Sequence, residues 1–566
     1  MPSPSSPPSS WGGVGGGLVE GLGEGLGEGL EEGLRRRTGA CPGASSGASA
    51  GGGAQSPLIF VTPELGRFSA VGGLGVMVDH LTAALASRGA PVTVITPAYA
   101  SCAASWASQV RTLAKLEIPF VESRATLTLM EAKHGSVRVL FLCSPGHFQK
   151  PYERSASVSE WILPPILLAR GALLAIHLLG LRPKAVVSND WVCALVAPYA
   201  RHGKWWPAAA MGMPFVEAEK LWHDAPFVHL IHNLEPGYDG CMALSGGRLA
   251  QQRQLETLHQ LPAHLLLELG PRLNLSRAAL LCSNQWATVS HGYREQLLRA
   301  TSPALAPLLR SFSAPFACAS GLPLSARRRA LGRLGGHAAA KATLQARCFG
   351  NEGVRPAVPL LCFLGRIAHQ KGVHLLLECV PALLRGCAGQ VQLLVCGQAD
   401  PGDAYAARCT AQIRELRAAY PLQFWASPPG AFFEEGLLVS LGADWGVMPS
   451  VFEPCGLVRE EFFAAGTPVV CADTGGMSER VRVYDELTRE GSGLLFRQSV
   501  HQELLGALEC AMRLFSQPKH AEALRRNAHA AACHVAHTAW NWHCELHRLR
   551  ACLALQQQQA KIEQAT

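Results

Sequence analysis

The chain is written in short apolar runs set between polar turns and amphipathic stretches. Residues 58–62 (LIFVT), 92–96 (VTVIT), 184–188, 227–231, 359–364, 391–395, 445–448 and 468–471 are each rich in Val, Ile, Leu or Phe, with little alternation. Runs of that length and composition predict strands buried on both faces, as in a parallel sheet. Between them the apolar positions take helical spacing. After 58–62, a loop with Glu64, Arg67 and Gly72-Gly73-Leu74-Gly75 leads to a helix predicted from about Val76, with Val78, Leu81 and Leu85 on one face and Gly89 at its end. Strands alternating with helices predict an α/β protein.

The stretch 443–481, ADWGVMPSVFEPCGLVREEFFAAGTPVVCADTGGMSERV, contains strand, polar turn and helix-like segment twice over. In parallel sheets ligands bind beyond the carboxyl ends of the strands, so the turn at Glu453 and the turn Thr474-Gly475-Gly476 should face one crevice. Residues 162–181 (ILPPILLARGALLAIHLLGL) form the one run approaching membrane length. Pro164, Pro165 and Arg170 interrupt it and a strand follows directly, which predicts a buried helix and no membrane span. Residues 323–356, rich in Arg, Ala and Gly, read as a linker with a helix at 340–347, and amphipathic helices are predicted in the last part of the chain, ahead of a polar tail over 556–566.

The first 56 residues read differently: Ser/Pro-rich, then a Gly-Leu-Gly-Glu repeat, Arg35-Arg36-Arg37 and a Gly/Ser/Ala tract. That composition cannot bury enough apolar surface to order itself, and predicts a disordered segment. Its Ser and Arg content suits a transit peptide, whereas Glu20, Glu24, Glu28, Glu31 and Glu32 do not. The remainder of the 566 residues, in a chain 48% hydrophobic, has room for two domains with substantial cores. The balance of 50 Lys+Arg against 42 Asp+Glu is mildly basic but scattered, which argues against a nucleic-acid surface and suits an anionic substrate. The 19 Cys and 21 His show neither CxxC nor HExxH spacing. Neither a disulfide framework nor a metal or cofactor is indicated.

The candidate chemistry is therefore that of the polar turns. Glu453 is an acceptor-only carboxylate suited to sugar hydroxyls. Arg366 and Lys371, around the turn after 359–364, can neutralise a leaving diphosphate. The glycine turns at Gly72-Gly73 and Gly475-Gly476 let backbone amides approach a ligand at a helix start. His232 ends one strand and Asp190 another.

These residues sit in longer strings. PSVFEPCGL followed by TGG, LGRIAHQKGVHLL, IHNLE (231–235), NDW (189–191), ATVS with Tyr293, and GGLG (72–75) resemble the signatures of the starch and glycogen synthases, nearest to soluble starch synthases of classes III and IV. The resemblance covers about 57–553 and implies a GT-B fold: two Rossmann-like, doubly wound domains facing a central cleft. On this reading 1–56 is a transit or low-complexity segment, 57–325 the first domain, 326–356 a linker, 357–535 the nucleotide-sugar domain and 536–566 a closing helix and tail. The implied activity is retaining transfer of glucose from ADP-glucose to the non-reducing end of an α-1,4-glucan, in a plastid and with starch-granule association, or otherwise in the cytoplasm. Glu453, Arg366, Lys371 and His232 would carry catalysis. Asp190, Asn233, Gly72, Gly73, Cys455, Gly456, Leu457, Thr474, Gly475, Gly476 and Glu461 would line the substrate site. The sequence departs from the family pattern at Ala70 (Lys), Val76 (Asp), Asn189 (His) and Ser320 (Asn). Those departures leave a glucan-binding pseudo-synthase as an alternative, and Glu461, typical of other retaining GT-B enzymes, leaves another nucleotide sugar.

Overall fold

The structure is a computed structural model that describes residues 56–565 apart from 70, 104–105, 121–122, 153–157, 203–221, 223–224, 245–259, 269–271, 301, 303, 401 and 429–434. The expectations for residues 1–55 and for Ala70 lie outside the described residues.

The first domain is built on β1 (Leu58–Val61), β2 (Val92–Ala98), β3 (Arg111–Pro119), β4 (Arg124–His134), β5 (Val137–Cys143), β6 (Ala185–Asn189), β7 (Phe227–Ile231), β10 (Gln285–Thr288) and β11 (Phe316–Ala317). Short strands β8 (Cys241–Ala243) and β9 (Arg272–Asn274) form a separate antiparallel ribbon. The nine-stranded sheet runs β11-β10-β7-β6-β1-β2-β5-β4-β3. It is parallel from β11 to β5, with β1 in register with β2 and β6, and it closes on an antiparallel meander from β5 to β3. The apolar runs have become its centre: every residue of β1, β2, β6 and β7 is buried. The meander alternates instead, with Leu127 and Leu129 inside and Arg124 outside, because only one of its faces is covered.

Helices cover both faces. Helix α1 (Gly73–Ser87) packs on one side and α2 (Val158–Leu178) on the other, burying Ile166, Leu167 and Leu173 completely. Each such Leu or Ile contributes about 1.5–3 kcal/mol of transfer free energy. The apolar run expected to be a buried helix is α2. By length and composition its window Glu160–Leu178 could cross a membrane, and 78% of that window is buried within the fold.

The second domain is an all-parallel sheet of β12 (Leu360–Leu364), β13 (Gln392–Cys396), β14 (Phe424–Ala426), β15 (Trp445–Met448), β16 (Val469–Ala472) and β17 (Gly493–Phe496), in the order β14-β13-β12-β15-β16-β17. Two departures from expectation concern what lies around it. The span 326–356, read as linker with a helix only at 340–347, is taken up by α4 (Leu324–Gly332) and α5 (His337–Phe349), after α3 (His291–Ala300) in the first domain. Lys341 of α5 reaches Asp444 at 2.7 Å and Gln345 reaches Gln392 at 2.7 Å, so α5 belongs to the second domain's packing. The polar tail over 556–566 continues the closing helix α9 (Val535–Ala565). Gln, Ala, Lys and Glu are good helix formers, and extending an existing helix needs no nucleation.

The chain crosses between domains twice, at Leu322 and at 533–535, and the two crossings lie side by side: Leu322 N donates to Cys533 O at 2.9 Å and Val535 N to Leu322 O at 2.8 Å. Helix α9 then returns to the first domain, seating Trp542 between Phe60 and Phe316 at 6.0 and 5.1 Å. As the closing-helix resemblance implied, it packs back. The carboxyl ends of β6, β7, β12, β15 and β16 lead into the turns that carry the candidate residues.

Candidate active site

In the second domain, Gly372 caps the turn after His369–Lys371 at φ +63, ahead of α6 (Val373–Gly386), and a Cβ there would lie 1.9 Å from the Pro449 carbonyl oxygen. Only glycine lets this turn rest on the Pro449-Ser450 turn. The result is an ion pair: Lys371 Nζ is 2.5 Å from Glu453 Oε2, and Ser450 Oγ donates to the same oxygen at 3.1 Å. Glu453 is 5% exposed, so the carboxylate is nearly desolvated and compensated by one ammonium and one hydroxyl.

Beside it, α7 (Leu457–Ala464) starts after Gly456 at φ +80, and α8 (Gly475–Arg480) starts after Thr474. Gly475 adopts φ +46, with a Cβ position only 2.3 Å from the Glu453 carbonyl oxygen, and Gly476 N donates to that oxygen at 2.9 Å. Inside α7, Arg459 donates to Gly476 O at 2.5 Å and to Glu460 Oε1 at 2.7 Å, while Glu460 Oε2 accepts from Cys533 N at 2.8 Å. Burial pushes the Cys455 thiol up to about 11, which keeps it protonated at neutral pH. Two expected residues stand apart from this cluster. Arg366 is exposed and has no side-chain partner among the described residues, and Glu461 pairs with Arg327 of α4 at 2.8 Å.

In the first domain the strand ends meet through Asp190, which holds a left-handed backbone at φ +53. Its Oδ1 accepts from His232 N at 2.6 Å and Asn233 N at 3.4 Å, locking the turn after β7 onto the end of β6. Burial raises the Asp190 carboxyl to about 8 against the opposing effect of those two amides, with nearby Glu64 adding to the rise. Burial, with nearby His229 adding to it, lowers His232 to about 3. His232 Nε2 lies 3.0 Å from Asn189 Oδ1, and Asn233 Oδ1 accepts from Glu235 N at 2.9 Å.

The glycine turn before α1 does not present free amides as expected. Val71 N and Gly72 N donate to Glu64 Oε2 at 2.6 and 2.9 Å, so the chain's own buried carboxylate sits where an anionic ligand would bind. Val76 is followed one turn later by Asp79, which pairs with His134 at 2.9 Å.

The halves touch around Glu453. Ser290 Oγ donates to Pro454 O at 2.5 Å, the Tyr293 ring meets Phe452 edge-on at 5.3 Å, and the Cβ position of Gly73 is 3.4 Å from Leu457 Cδ1. Gly292 N donates to Glu479 Oε2 at 3.0 Å. The structure thus gathers Lys371, Glu453, Gly475 and Gly476 in one cluster and Asp190, His232 and Asn233 in another, at a shared interface. Sequence reasoning placed Glu64 in its loop without giving it a role, and passed over Ser450, Arg459 and Glu460. The adjacent Arg-Glu charges in an otherwise apolar helical stretch were the available signal for the last two.

Comparison with known proteins fits this geometry. Residues 57–311 match the family described as starch synthase catalytic domain, and 349–531 match glycosyl transferases group 1. A glycogen synthase of Anaeromyxobacter dehalogenans is 30% identical over 482 residues, covering 81% of this chain and 92% of that one. One from Myxococcus xanthus is 29% identical over 505 residues, covering 83% and 94%. Among solved structures, the catalytic domain of starch synthase IV from Arabidopsis thaliana bound to ADP and acarbose superposes with a TM-score of 0.71 at 20% identity, over 88% of this chain and 100% of that one. The two doubly wound sheets are thus a GT-B fold, and the chain belongs to the starch and glycogen synthase family of glycosyltransferases.

Proposed function

We propose that the protein transfers glucose from ADP-glucose to the non-reducing end of an α-1,4-glucan with retention of configuration. The observation that carries this reading is the place of the Lys371–Glu453 pair. The first domain touches the second on Phe452, Pro454 and Leu457, the residues flanking Glu453, so the pair lies where the two sets of strand ends meet. On donor binding, Glu453 accepts hydrogen bonds from the sugar. Lys371 and Arg366 neutralise the diphosphate as its bond to the anomeric carbon breaks, and the Gly475 amide completes the pocket, the Gly476 amide being held on the Glu453 carbonyl. The acceptor hydroxyl adds on the face the diphosphate leaves, and its proton passes to a phosphate oxygen. His232, Asp190 and Asn233 orient the glucose from the other domain. ADP as the nucleotide is supported by the starch synthase IV complex, and glucan as the acceptor by the named relatives.

Glu64 on the Val71 and Gly72 amides favours a second reading, a glucan-binding protein without turnover. Radiolabelled transfer from ADP-glucose and from UDP-glucose to glycogen decides between them. Label in glycogen from ADP-glucose supports the synthase, whereas glycogen binding with no transfer from either donor leaves the non-catalytic reading. Plastid residence and starch-granule association extend the proposal. A reporter fused to residues 1–56 that stays in the cytosol would remove the former, and failure to pellet with starch granules the latter.

A further inference from the structure

Asn189 departs from the family pattern, which has His at this position, and its surroundings in the structure assign it a task. It is completely buried at the carboxyl end of β6. Its Nδ2 lies 3.0 Å from the Val61 carbonyl oxygen, and a carbonyl can only accept, so the amide's NH2 must face Val61. Oδ1 then faces His232, 3.0 Å from Nε2. An amide oxygen also only accepts, so Nε2 must carry a hydrogen. A neutral imidazole has one N–H, which leaves Nδ1 with its lone pair.

The other groups around the ring hold it neutral. His229, fully buried and bonded through Nδ1 to Ser188 Oγ at 3.1 Å, brings no negative charge that would stabilise an imidazolium. The Asp190 carboxyl is spent on the His232 and Asn233 backbone amides. Nδ1 of His232 has no partner among the described residues, and the half-buried ring stands in the turn that faces the cleft.

We infer that Asn189 is a positioning residue that fixes His232 as its neutral Nε2–H tautomer, so that Nδ1 accepts a hydrogen bond from a hydroxyl of the bound sugar. A His at position 189 could accept or donate according to its own tautomer; Asn bonded to Val61 has no such choice. A lone pair at Nδ1 takes an O–H and rejects carboxylates, fluorine and carbonyl oxygens. This corner of the cleft therefore selects a sugar carrying a hydroxyl there. The ligand part of the inference rests on the reading of the cleft as a sugar-nucleotide site; the tautomer part does not.

The test uses the full chain with ring-15N-labelled histidine, the His232 signals being assigned by their loss in His232→Gln. Two-bond proton–nitrogen correlations between pH 6 and 8 should show the Nε2–H pattern, and an Nδ1–H or imidazolium pattern overturns the inference. Asn189→Leu should mix the tautomers, and Asn189→Asp, whose carboxylate stabilises a protonated ring, should shift it toward imidazolium; an unchanged pattern in both removes Asn189 as the cause. For the ligand, calorimetric Kd values are compared for ADP-glucose and analogues fluorinated at each hydroxyl position in turn. One analogue should bind roughly three- to tenfold more weakly to the wild type and show no such loss in His232→Ala. Equal losses in both proteins overturn the hydroxyl assignment. If ADP-glucose does not bind at all, the sugar-nucleotide reading and the hydroxyl assignment fail together, while the nitrogen spectrum still decides the tautomer.

Discussion

Two cations expected to act together have different structural debts. Arg366 is exposed and unpartnered among the described residues, so Arg366→Ala should remove most transfer while changing stability by no more than about 0.5 kcal/mol. Lys371 compensates a nearly desolvated carboxylate, so Lys371→Ala should remove transfer and also cost about 1–3 kcal/mol, read by urea unfolding. Equal stability of the two variants would mean that the ion pair contributes nothing to folding. The same strand ends set a pH optimum for stability. Asp190 is raised from 3.8 to about 8, so between those values the folded protein holds a proton that the unfolded chain has released, and stability falls as pH rises. His229 and His232 are lowered from 6.5 to about 3, so the unfolded chain binds protons that the folded one refuses, and stability falls as pH drops below 6.5. With two groups on the acid side and one on the alkaline side, these three place the maximum near pH 6.5. The wild type should lose Tm between pH 6.5 and 8.5, and Asp190→Asn, which keeps an acceptor for both amides, should abolish that fall.

Helix α7 links the donor cluster to the domain crossing. Arg459 and Glu460 are 1% and 0% exposed; one grips the Gly476 carbonyl and the other the Cys533 amide. A buried pair of this kind is most sensitive to losing one member, because the survivor is left uncompensated. Arg459→Leu should therefore cost about 2–4 kcal/mol, softened by Arg480 standing 3.5 Å from Glu460. Adding Glu460→Leu should recover most of that loss in urea unfolding, and additive losses would show that the two act separately. Element boundaries were readable where one environment governs a whole run. β7 and β15 fall on the predicted residues, since both faces of each are buried. The meander from β3 to β5 was not predicted, because alternation on a half-covered sheet is a weaker signal than a continuous apolar run. Helix α4 was obscured by Arg, Ala and Gly, whereas α5 contains the helix predicted at 340–347 and runs past it at both ends, where packing on the second sheet fixes helicity.

At the scale of the whole molecule, closure of the cleft depends on a backbone contact. In α3, a Cβ on Gly292 would lie 2.3 Å from the Gly475 carbonyl oxygen, on the glycine turn beside Glu453. Gly292→Ala should wedge the two domains apart while leaving each domain's core intact. The expected results are a larger radius of gyration by X-ray scattering and a fall of at least about tenfold in kcat/KM, since misplacing the halves by an ångström is enough. Unchanged scattering and activity would show that the domains meet differently when working. The sequence by itself determined the α/β class, the turns that carry Glu453, Lys371 and His232, and the family, because strand burial and ligand turns are written in contiguous residues. It could not tell that Glu64 fills the first glycine turn, that Glu461 turns to Arg327, or that Asn189 sets the protonation of His232. Each of those depends on which polar group wins a partner from a distant part of the chain, and only the assembled tertiary structure brings the competitors within hydrogen-bonding distance.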